Sequence, residues 1–200
     1  MTYSQLNQDV DCLEKYPPSL NQYFYVDIGA SDGISLSNTY LLEKNGWNGI
    51  CIEPESNSFT KLVSNRNSIN INCACYKSDE EVDFLVSSEP MLSGIEETIF
   101  KNNLEYKSIK VKTKTLTQIL DEYKAPTHIQ YLSLDVEGGE LNVLLGCDFN
   151  KYSFGIIDVE HNYMDVLRGE IKELLESKGY KFALQNKWDD RYELVVPQIE

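Results

Sequence analysis

The segment YFYVDIGASDG, which runs from Tyr23 to Gly33, carries the strongest structural signal in this chain of 200 residues. It is an apolar run that ends in an acid, followed by two glycines four residues apart. A second apolar run, from Gly49 to Ile52, ends in Glu53, 20 residues after Gly33. This layout is typical of a nucleoside-binding β–α–β unit, in which a strand leads into a glycine turn and the next strand ends in an acid that holds ribose hydroxyls.

Apolar segments of strand length alternate along the chain with segments of helical periodicity. We predict strands over residues 23–28, 49–52, 69–73, 129–134 and 154–159, then two closing strands over 180–184 and 191–196 joined by a turn around Asp189-Asp190. We predict helices over 4–16, 37–44 and 141–145, with N-caps at Ser37, Ser56 and Thr115, and one more with the stripe Leu167, Ile171, Leu174 and Leu175. This order predicts a three-layer α/β fold, with a mostly parallel sheet and one antiparallel strand, as a single domain over residues 1–200.

A long polar stretch separates two alternating segments in the middle of the chain, residues 82–86 and 108–114. Pro90, Gly94 and the pair Asn102-Asn103 interrupt regular structure there. A loop of that length in a compact domain is usually a lid, a binding loop or mobile. We therefore predict a substrate loop over residues 87–106, and an N-terminal helical segment over residues 1–20 that stops at Pro17-Pro18.

The charge balance is strongly acidic, with 18 basic and 32 acidic residues and a net charge of −14. A surface of that sign repels polyanions and anionic membranes, which argues against sequence-independent nucleic-acid binding. No apolar run reaches the length of a membrane span, and the N-terminus lacks the basic-then-apolar pattern of a signal peptide. We expect neither a nucleic-acid partner nor insertion into a membrane.

The five cysteines are an odd number without a C-x-x-C pair, and Cys51, Cys73, Cys75 and Cys147 sit in or beside apolar segments. This pattern is typical of small core residues in a reducing compartment, and we expect the cytoplasm. Cys73 and Cys75 share one face of a predicted strand.

Conspicuous polar residues follow four of the predicted strands. Ligands of such sheets bind beyond the carboxyl ends of the strands, so these residues are expected to meet in one cleft. The segments are Asp27–Gly33, Glu53, Asp135–Glu137 and Glu160–Asn162. Four strand ends that converge are a stronger signal than any single motif.

The glycine turn differs from that of a dinucleotide site. A G-x-G-x-x-G turn would place a pyrophosphate on a helix N-terminus, but here Ser31 replaces the middle glycine and the turn carries Asp32. A carboxylate suits a cationic ligand better, such as the sulfonium and amino groups of S-adenosylmethionine. A nicotinamide-dependent dehydrogenase stays a weaker alternative.

Several segments together resemble the FkbM family of S-adenosylmethionine-dependent methyltransferases. They are VDIGASDG (26–33), LSNT (36–39), GICIEP (49–54), LSLDVEGGE (132–140) and VEHN (159–162), with Ser4-Gln5 and Gln8-Asp9 near the N-terminus. The chain departs from the family in Gly139, where alanine is frequent. The resemblance implies a class I methyltransferase (Rossmann-like) fold, with seven strands in the order 3-2-1-4-5-7-6 and strand 7 antiparallel. It also implies methylation of a hydroxyl on a sugar, glycan or other natural product, in bacteria or in the host cytoplasm of large DNA viruses.

The resemblance also implies which residues hold S-adenosylmethionine. The Gly29–Gly33 turn would pass under the methionine part, while Asp27 or Asp32 would hold its amino group. Glu53 would bind the ribose, and residues 72–75 would flank the adenine. The expected set is Gln8, Asp27, Gly29, Ala30, Ser31, Asp32, Gly33, Glu53, Pro54, Ala74, Cys75 and Asp135, with Gln5 beside Gln8. The alternatives are a turn cap for Asp32, core packing for the cysteines and a solvated helix face for the two glutamines.

Methyl transfer to a hydroxyl gains from a base beside the methyl group, and the candidates follow predicted strands four and five. They are Asp135, Glu137, Glu160 and His161. His161 is best matched to neutral pH, although a structural role is the alternative, and Asp135 is a base or an acceptor-orienting group. The same four residues would hold a divalent metal in a metal-assisted mechanism, which we favour less. We expect Glu140 to cap or pair within its own helix, and a non-catalytic S-adenosylmethionine-binding module is a further alternative.

Overall fold

The computed structural model describes residues 2–17, 22–101 and 103–195, which form an α/β fold. The strands are β1 (Phe24–Ile28), β2 (Asn48–Ile52), β3 (Ile69–Ile71), β4 (Ala74–Cys75), β5 (Glu81–Ser87), β6 (Gly94–Ile95), β7 (Tyr106–Lys114), β8 (His128–Leu134), β9 (Ser153–Glu160), β10 (Tyr180–Asn186) and β11 (Asp189–Leu194). The helices are α1 (Gln8–Lys15), α2 (Tyr40–Lys44), α3 (Ser56–Asn65), α4 (Leu116–Glu122), α5 (Glu140–Leu145) and α6 (Asp165–Ser177), and a short 3-10 turn covers Pro90–Leu92. Pro18, Asn102 and Val196, which belong to predicted elements, lie outside the described residues.

The main sheet has seven strands in the spatial order β3-β2-β1-β8-β9-β11-β10. Strands β3, β2, β1, β8 and β9 are parallel, and Val26 of β1 pairs with Ile50 of β2 and Leu132 of β8. Strand β11 is antiparallel to both of its neighbours, β9 and β10. With β8 to β11 counted as strands four to seven, this sheet confirms the predicted order 3-2-1-4-5-7-6 with strand 7 antiparallel.

Helices cover both faces of the main sheet because adjacent residues of its central strands are buried on opposite sides. Val26, Leu132 and Ile157 share an apolar cluster with residues of α4, α5 and α6. Tyr25 and Tyr131 belong to a second cluster, which includes residues of α1, α2 and α3. The predicted three-layer arrangement is therefore confirmed. Within the described ranges, no helix is both long enough and apolar enough to span a membrane.

A second, four-stranded sheet in the order β4-β7-β5-β6 interrupts the alternation. The predicted strand over residues 69–73 is too long, because β3 ends at Ile71 and Ala74–Cys75 pairs with β7 instead. The predicted loop over residues 87–106 contains a strand, since Gly94 and Ile95 pair with β5. Ile95 packs with Phe84 in a small apolar cluster, and this contact holds the segment on the sheet.

Two helices begin later than predicted because local hydrogen bonds hold the preceding residues in turns. Helix α1 begins at Gln8, since the Asp9 carboxylate accepts hydrogen bonds from the backbone N–H groups of Tyr3 and Ser4. Helix α2 begins at Tyr40 with Thr39, not the predicted Ser37, as its N-cap, because the Ser37 hydroxyl accepts hydrogen bonds from the N–H groups of Thr39 and Tyr40 and holds this segment in a turn.

The caps of α3 and α4 and the last turn can be compared with their predicted positions. Glu55, not Ser56, caps α3, because its carboxylate reaches back to two backbone N–H groups of the first turn. Thr115 caps α4 as predicted. The turn predicted around Asp189-Asp190 lies earlier, at Lys187, which has a φ of 58°, so that Asp189 already belongs to β11.

Candidate active site

A cleft with two adjacent lobes opens at the carboxyl ends of the central strands. The lining of the first lobe includes Glu53, Pro54, Ala74, Cys75, Phe84 and Ile95. The lining of the second lobe includes Gln5, Gln8, Asp27, Ala30, Glu160, Trp188 and Asp189. Gly29, Ser31, Met91, Asp135 and Glu137 line both lobes. One ligand can therefore extend from the first lobe into the second.

The glycine turn after β1 forms the floor between the lobes. Gly29 has a φ of +90°, and a Cβ atom at this position would lie 1.7 Å from the backbone oxygen of Asp135. The backbone N–H groups of Gly29 and Ala30 both donate to the carbonyl of Ile52. Only glycine fits where the turn meets the ends of β2 and β8 this closely. Gly33 has a φ of +81° and packs against α3 outside the cleft lining.

Glu53 is oriented by the turn that it faces. Its two carboxylate oxygens accept hydrogen bonds from the backbone N–H groups of Ser31, at 2.9 Å, and Glu55, at 2.8 Å. Burial raises the pKa of Glu53 to about 7, although both hydrogen bonds favour the ionised form. Each oxygen keeps a further acceptor position. Glu53 is therefore placed in the first lobe to accept hydrogen bonds from a pair of hydroxyls, such as those of a ribose.

The rest of the first lobe is mostly apolar. Ala74 and Cys75 form one side, and burial raises the pKa of Cys75 well above that of a free thiol, so its side chain stays neutral. Phe84, Met91 and Ile95 also line this lobe. An apolar lobe beside a carboxylate is suited to a planar base attached to a ribose.

The two acids of the glycine turn have different surroundings. Asp27 lines the second lobe, accepts a hydrogen bond from the Thr39 hydroxyl at 2.5 Å and has a pKa that burial raises. Asp32 lines neither lobe, and its carboxylate binds the N–H groups of Ile34 and Ser35. Its partial burial opposes ionisation, but these hydrogen bonds lower its pKa overall. The geometry thus gives Asp32 the role of a turn cap and leaves Asp27 as the acid that can hold an amino group.

Three acids lie where β8 and β9 end. Asp135 and Glu160 follow neighbouring positions of these parallel strands and share a side-chain hydrogen bond. One carboxylate oxygen from each of Asp135, Glu140 and Glu160 lies within 4.8 Å of the other two. Asp135 is open to the cleft, but desolvation inside the cleft and the repulsion between neighbouring carboxylates raise its pKa and that of Glu160, so the pair holds a proton near neutral pH. The same causes raise the pKa of Glu137 to about 8.

His161 is not brought to the cleft. Its ring is buried, its Nδ1 accepts a hydrogen bond from the Tyr163 N–H at 3.0 Å, and its Nε2 lies 3.5 Å from Asp190 Oδ1. Asp190 is itself held by Arg168. Burial lowers the pKa of His161, which keeps the ring neutral. This placement gives His161 a structural role and takes it out of the candidate bases and metal ligands.

The second lobe contains residues that the sequence did not single out. Asp189 pairs with Glu160 across β11 and β9 and accepts a hydrogen bond from Gln8 Nε2 at 2.5 Å. Burial and nearby acids raise the pKa of Asp189 to about 7. Trp188 also lines this lobe. Strand β11 lies between β9 and the edge strand β10, and this position brings both residues to the cleft. Only the register of β11 against β9 reveals this.

The first part of the predicted loop, residues 89–95, contributes to the lining of the cleft. Pro90, Met91 and Ser93 line the first lobe, and Glu89 and Leu92 line the second. Further along the segment, Thr98 approaches the loop after β8, where a Cβ atom on Gly138 would lie 2.5 Å from the Thr98 carbonyl oxygen. Part of the predicted substrate loop therefore lines the cleft, and its role in binding substrate stays a prediction.

The charge of the cleft discriminates between cofactors. Among the described residues that line the two lobes there is no lysine or arginine, whereas Asp27, Glu53, Asp135, Glu137 and Glu160 contribute carboxylates. A pyrophosphate would be repelled, and a nucleoside that carries a cationic sulfur and an amino group is complementary. The residues present therefore fit S-adenosylmethionine, with Glu53 at the ribose and Asp27 at the amino group.

Comparisons with known proteins agree with this geometry. The family model described as "Methyltransferase FkbM domain" matches residues 27–182, which is more than half of the chain. No curated protein matches the sequence. Among solved structures, a precorrin-6y C5,15-methyltransferase from Geobacter metallireducens is similar, with a TM-score of 0.50 and 13% identity over 92% of this chain and 84% of that one.

Two further structures show weaker likeness. A putative RNA methyltransferase from Pyrococcus horikoshii has a TM-score of 0.49 and 12% identity, over 95% of this chain and 84% of that one. The N-terminal domain of human METTL16 has a TM-score of 0.48 and 14% identity, over 92% of this chain and 65% of that one. The family match, the sheet order and the cleft together lead to one conclusion: this chain belongs to the FkbM family of S-adenosylmethionine-dependent methyltransferases.

Proposed function

We propose that this protein methylates a hydroxyl group of a sugar or glycan. The observation that supports this acceptor is the lining of the second lobe, where Glu160 and Asp189 lie near Trp188. Carboxylates accept hydrogen bonds from hydroxyls, and an aromatic ring gives the apolar face of a sugar a surface to pack on. A nucleic-acid acceptor is disfavoured because no basic residue lines this lobe within the described part of the chain.

Asp135 is the residue best placed to link cofactor and acceptor. It lines both lobes, and its side chain is exposed to the cleft. S-adenosylmethionine supplies, when bound, a methyl group on a cationic sulfur, which the acceptor oxygen takes as the carbon–sulfur bond breaks. Asp135, in its ionised form, accepts the proton that the acceptor hydroxyl loses. A carboxylate with a raised pKa is a stronger base than an ordinary one, which suits it for this role.

Glu160 completes the pair. Because Asp135 and Glu160 share a side-chain hydrogen bond, one of the two can hold a proton while the other accepts one. Gln8, which approaches from α1, orients Asp189 on the other side of the lobe. These residues would position the acceptor hydroxyl, and orientation alone can contribute several kcal/mol to the rate.

The proposal is tested by incubating the protein with S-adenosylmethionine and a panel of oligosaccharides, and by measuring the mass of one added methyl group. The variant D135N should lose transfer but keep affinity for S-adenosylhomocysteine, measured by calorimetry. D79N, which removes an exposed acid that lines neither lobe, is the matched control. Cofactor binding without transfer to any sugar would support the non-catalytic module, and transfer to an RNA or a protein instead would refute the proposed acceptor.

A further inference from the structure

Glu140 is held in an unusual way for a buried acid. The residue is 1% exposed, and its Oε1 accepts hydrogen bonds from the backbone N–H groups of Val136, at 3.0 Å, and Gly138, at 3.1 Å. Its Oε2 is equally buried and accepts no hydrogen bond from any other described residue. A buried carboxylate oxygen without a partner is costly and points to a missing one. These bonds join Glu140 to the loop before α5, not to its own helix as predicted, and they leave the second oxygen unexplained.

The neighbours of Glu140 are also carboxylates. Oxygens of Asp135, Glu140 and Glu160 lie within 4.8 Å of one another, so small side-chain movements would let a single ion contact all three. The loop of Val136 and Gly138 fixes Glu140, and the ends of two adjacent strands fix the other two. Among the described residues that line the two lobes, no lysine or arginine offsets this charge.

We propose that Asp135, Glu140 and Glu160 form a site for one hard divalent cation, Mg²⁺ or Mn²⁺. Three oxygen ligands suit these ions and disfavour metals that prefer sulfur or nitrogen. This set differs from the one expected from the sequence. His161 lies against Asp190 instead, and Glu137 is not part of the close group. Glu140 takes their place because it belongs to the close group and its second oxygen is buried without a partner.

In the proposed methyl transfer, the bound ion would activate the acceptor hydroxyl, and this role depends on the proposed function. Asp135 and Glu160 line the second lobe, so the open positions of the ion face the expected acceptor. A divalent cation lowers the pKa of a hydroxyl that coordinates it, which makes the oxygen a better nucleophile. Asp135 would coordinate the ion through one carboxylate oxygen and keep the other for the proton that the hydroxyl releases, so it remains the base of the proposed function.

The test measures metal binding directly. The protein is titrated with MnCl₂, and free Mn²⁺ is followed by electron paramagnetic resonance. E140Q keeps an oxygen for the two backbone N–H groups, so we expect it to fold, and its Mn²⁺ dissociation constant should rise by about 10-fold or more. E160Q should have the same effect and is a second measure if E140Q does not fold. E137Q removes one charge from the same cleft and should change the constant by less than about 3-fold.

Each result has one interpretation. Wild-type protein that binds no Mn²⁺ at millimolar concentration would overturn the inference. The inference would also be overturned if E137Q weakened Mn²⁺ binding as much as E140Q does. The ion would then be attracted by the overall negative charge of the cleft and not held by three specific ligands. If sugar methylation proceeds undiminished in excess chelator and no Mn²⁺ binds, only the metal site fails. If Mn²⁺ binds as expected but no sugar is methylated, the metal site stands and the proposed acceptor fails.

Discussion

Replacing Gly29 with alanine tests whether the close approach of the glycine turn to β8 holds the cleft together. Two separate costs arise at this position. The φ of +90° is strained for any residue with a side chain, and the new Cβ would lie 1.7 Å from the Asp135 backbone oxygen. The second cost cannot be relieved by rotating a side chain, because the atom it meets belongs to the backbone.

Replacing Gly46 with alanine measures the conformational cost without the steric one. Gly46 has nearly the same φ, +88°, but a Cβ atom there would meet nothing within 4 Å. G46A should therefore lower the free energy of unfolding by the conformational cost alone, about 1 kcal/mol. G29A should lower it by about 3 kcal/mol or more, because the turn must also move away from Asp135. The displaced turn carries Ser31, whose N–H orients Glu53.

Urea unfolding of both variants gives the two free energies, and calorimetry with S-adenosylhomocysteine gives the effect on the cleft. We expect G46A to bind with the affinity of the wild type, and G29A to lose about 10-fold or more. Equal destabilisation by the two substitutions would refute the argument from close approach. Unchanged cofactor affinity in a folded G29A protein would show that the turn is not part of the site.

Three further predictions concern titratable residues of the site. Glu53 has an ordinary pKa of 4.5 and a folded-state pKa of about 7, so the folded protein binds the proton more tightly. The free energy of unfolding should therefore fall as the pH rises from about 5 to about 8, by on the order of 1–3 kcal/mol from this group, and E53Q should flatten the fall in urea titrations. D135N should reduce kcat by about 10²-fold or more, and a reduction below about 5-fold in single-turnover assays would rule out Asp135 as the base. H161Q should leave kcat within about 3-fold while lowering the unfolding temperature, and a loss comparable to that of D135N would return His161 to the catalytic residues.

The main sheet could be predicted from the sequence because its signals are local. The runs that end at Ile28, Ile52 and Leu134 are mostly apolar and are buried on both faces, as is typical of central parallel strands, and helical stripes separate them. Glycines and acids after the strands then mark the cleft, since parallel strands all present their carboxyl ends to the same edge. Strand order followed from the family resemblance, and the sheet confirms it.

The errors arose where a side chain had more than one possible partner. Ser56 and Glu55 both suit a helix start, and only the path of the chain after β2 decides that the longer side chain reaches the N–H groups. Asp32 has the charge of a ligand-binding residue, but the adjacent N–H groups satisfy it first. His161 follows a strand that ends in the cleft, yet its ring turns towards Asp190 on the neighbouring β11.

The sequence by itself determined the fold class, the family and the edge of the sheet where the ligand binds, because apolar periodicity and strand-end residues are properties of neighbouring positions. The tertiary structure alone decided which acids face one another. Asp189 and Glu160 are brought together by the register of two strands, and Glu140 joins Asp135 because a loop holds one of its oxygens. Contacts of this kind depend on distances between segments far apart along the chain, and no local pattern of residues encodes them.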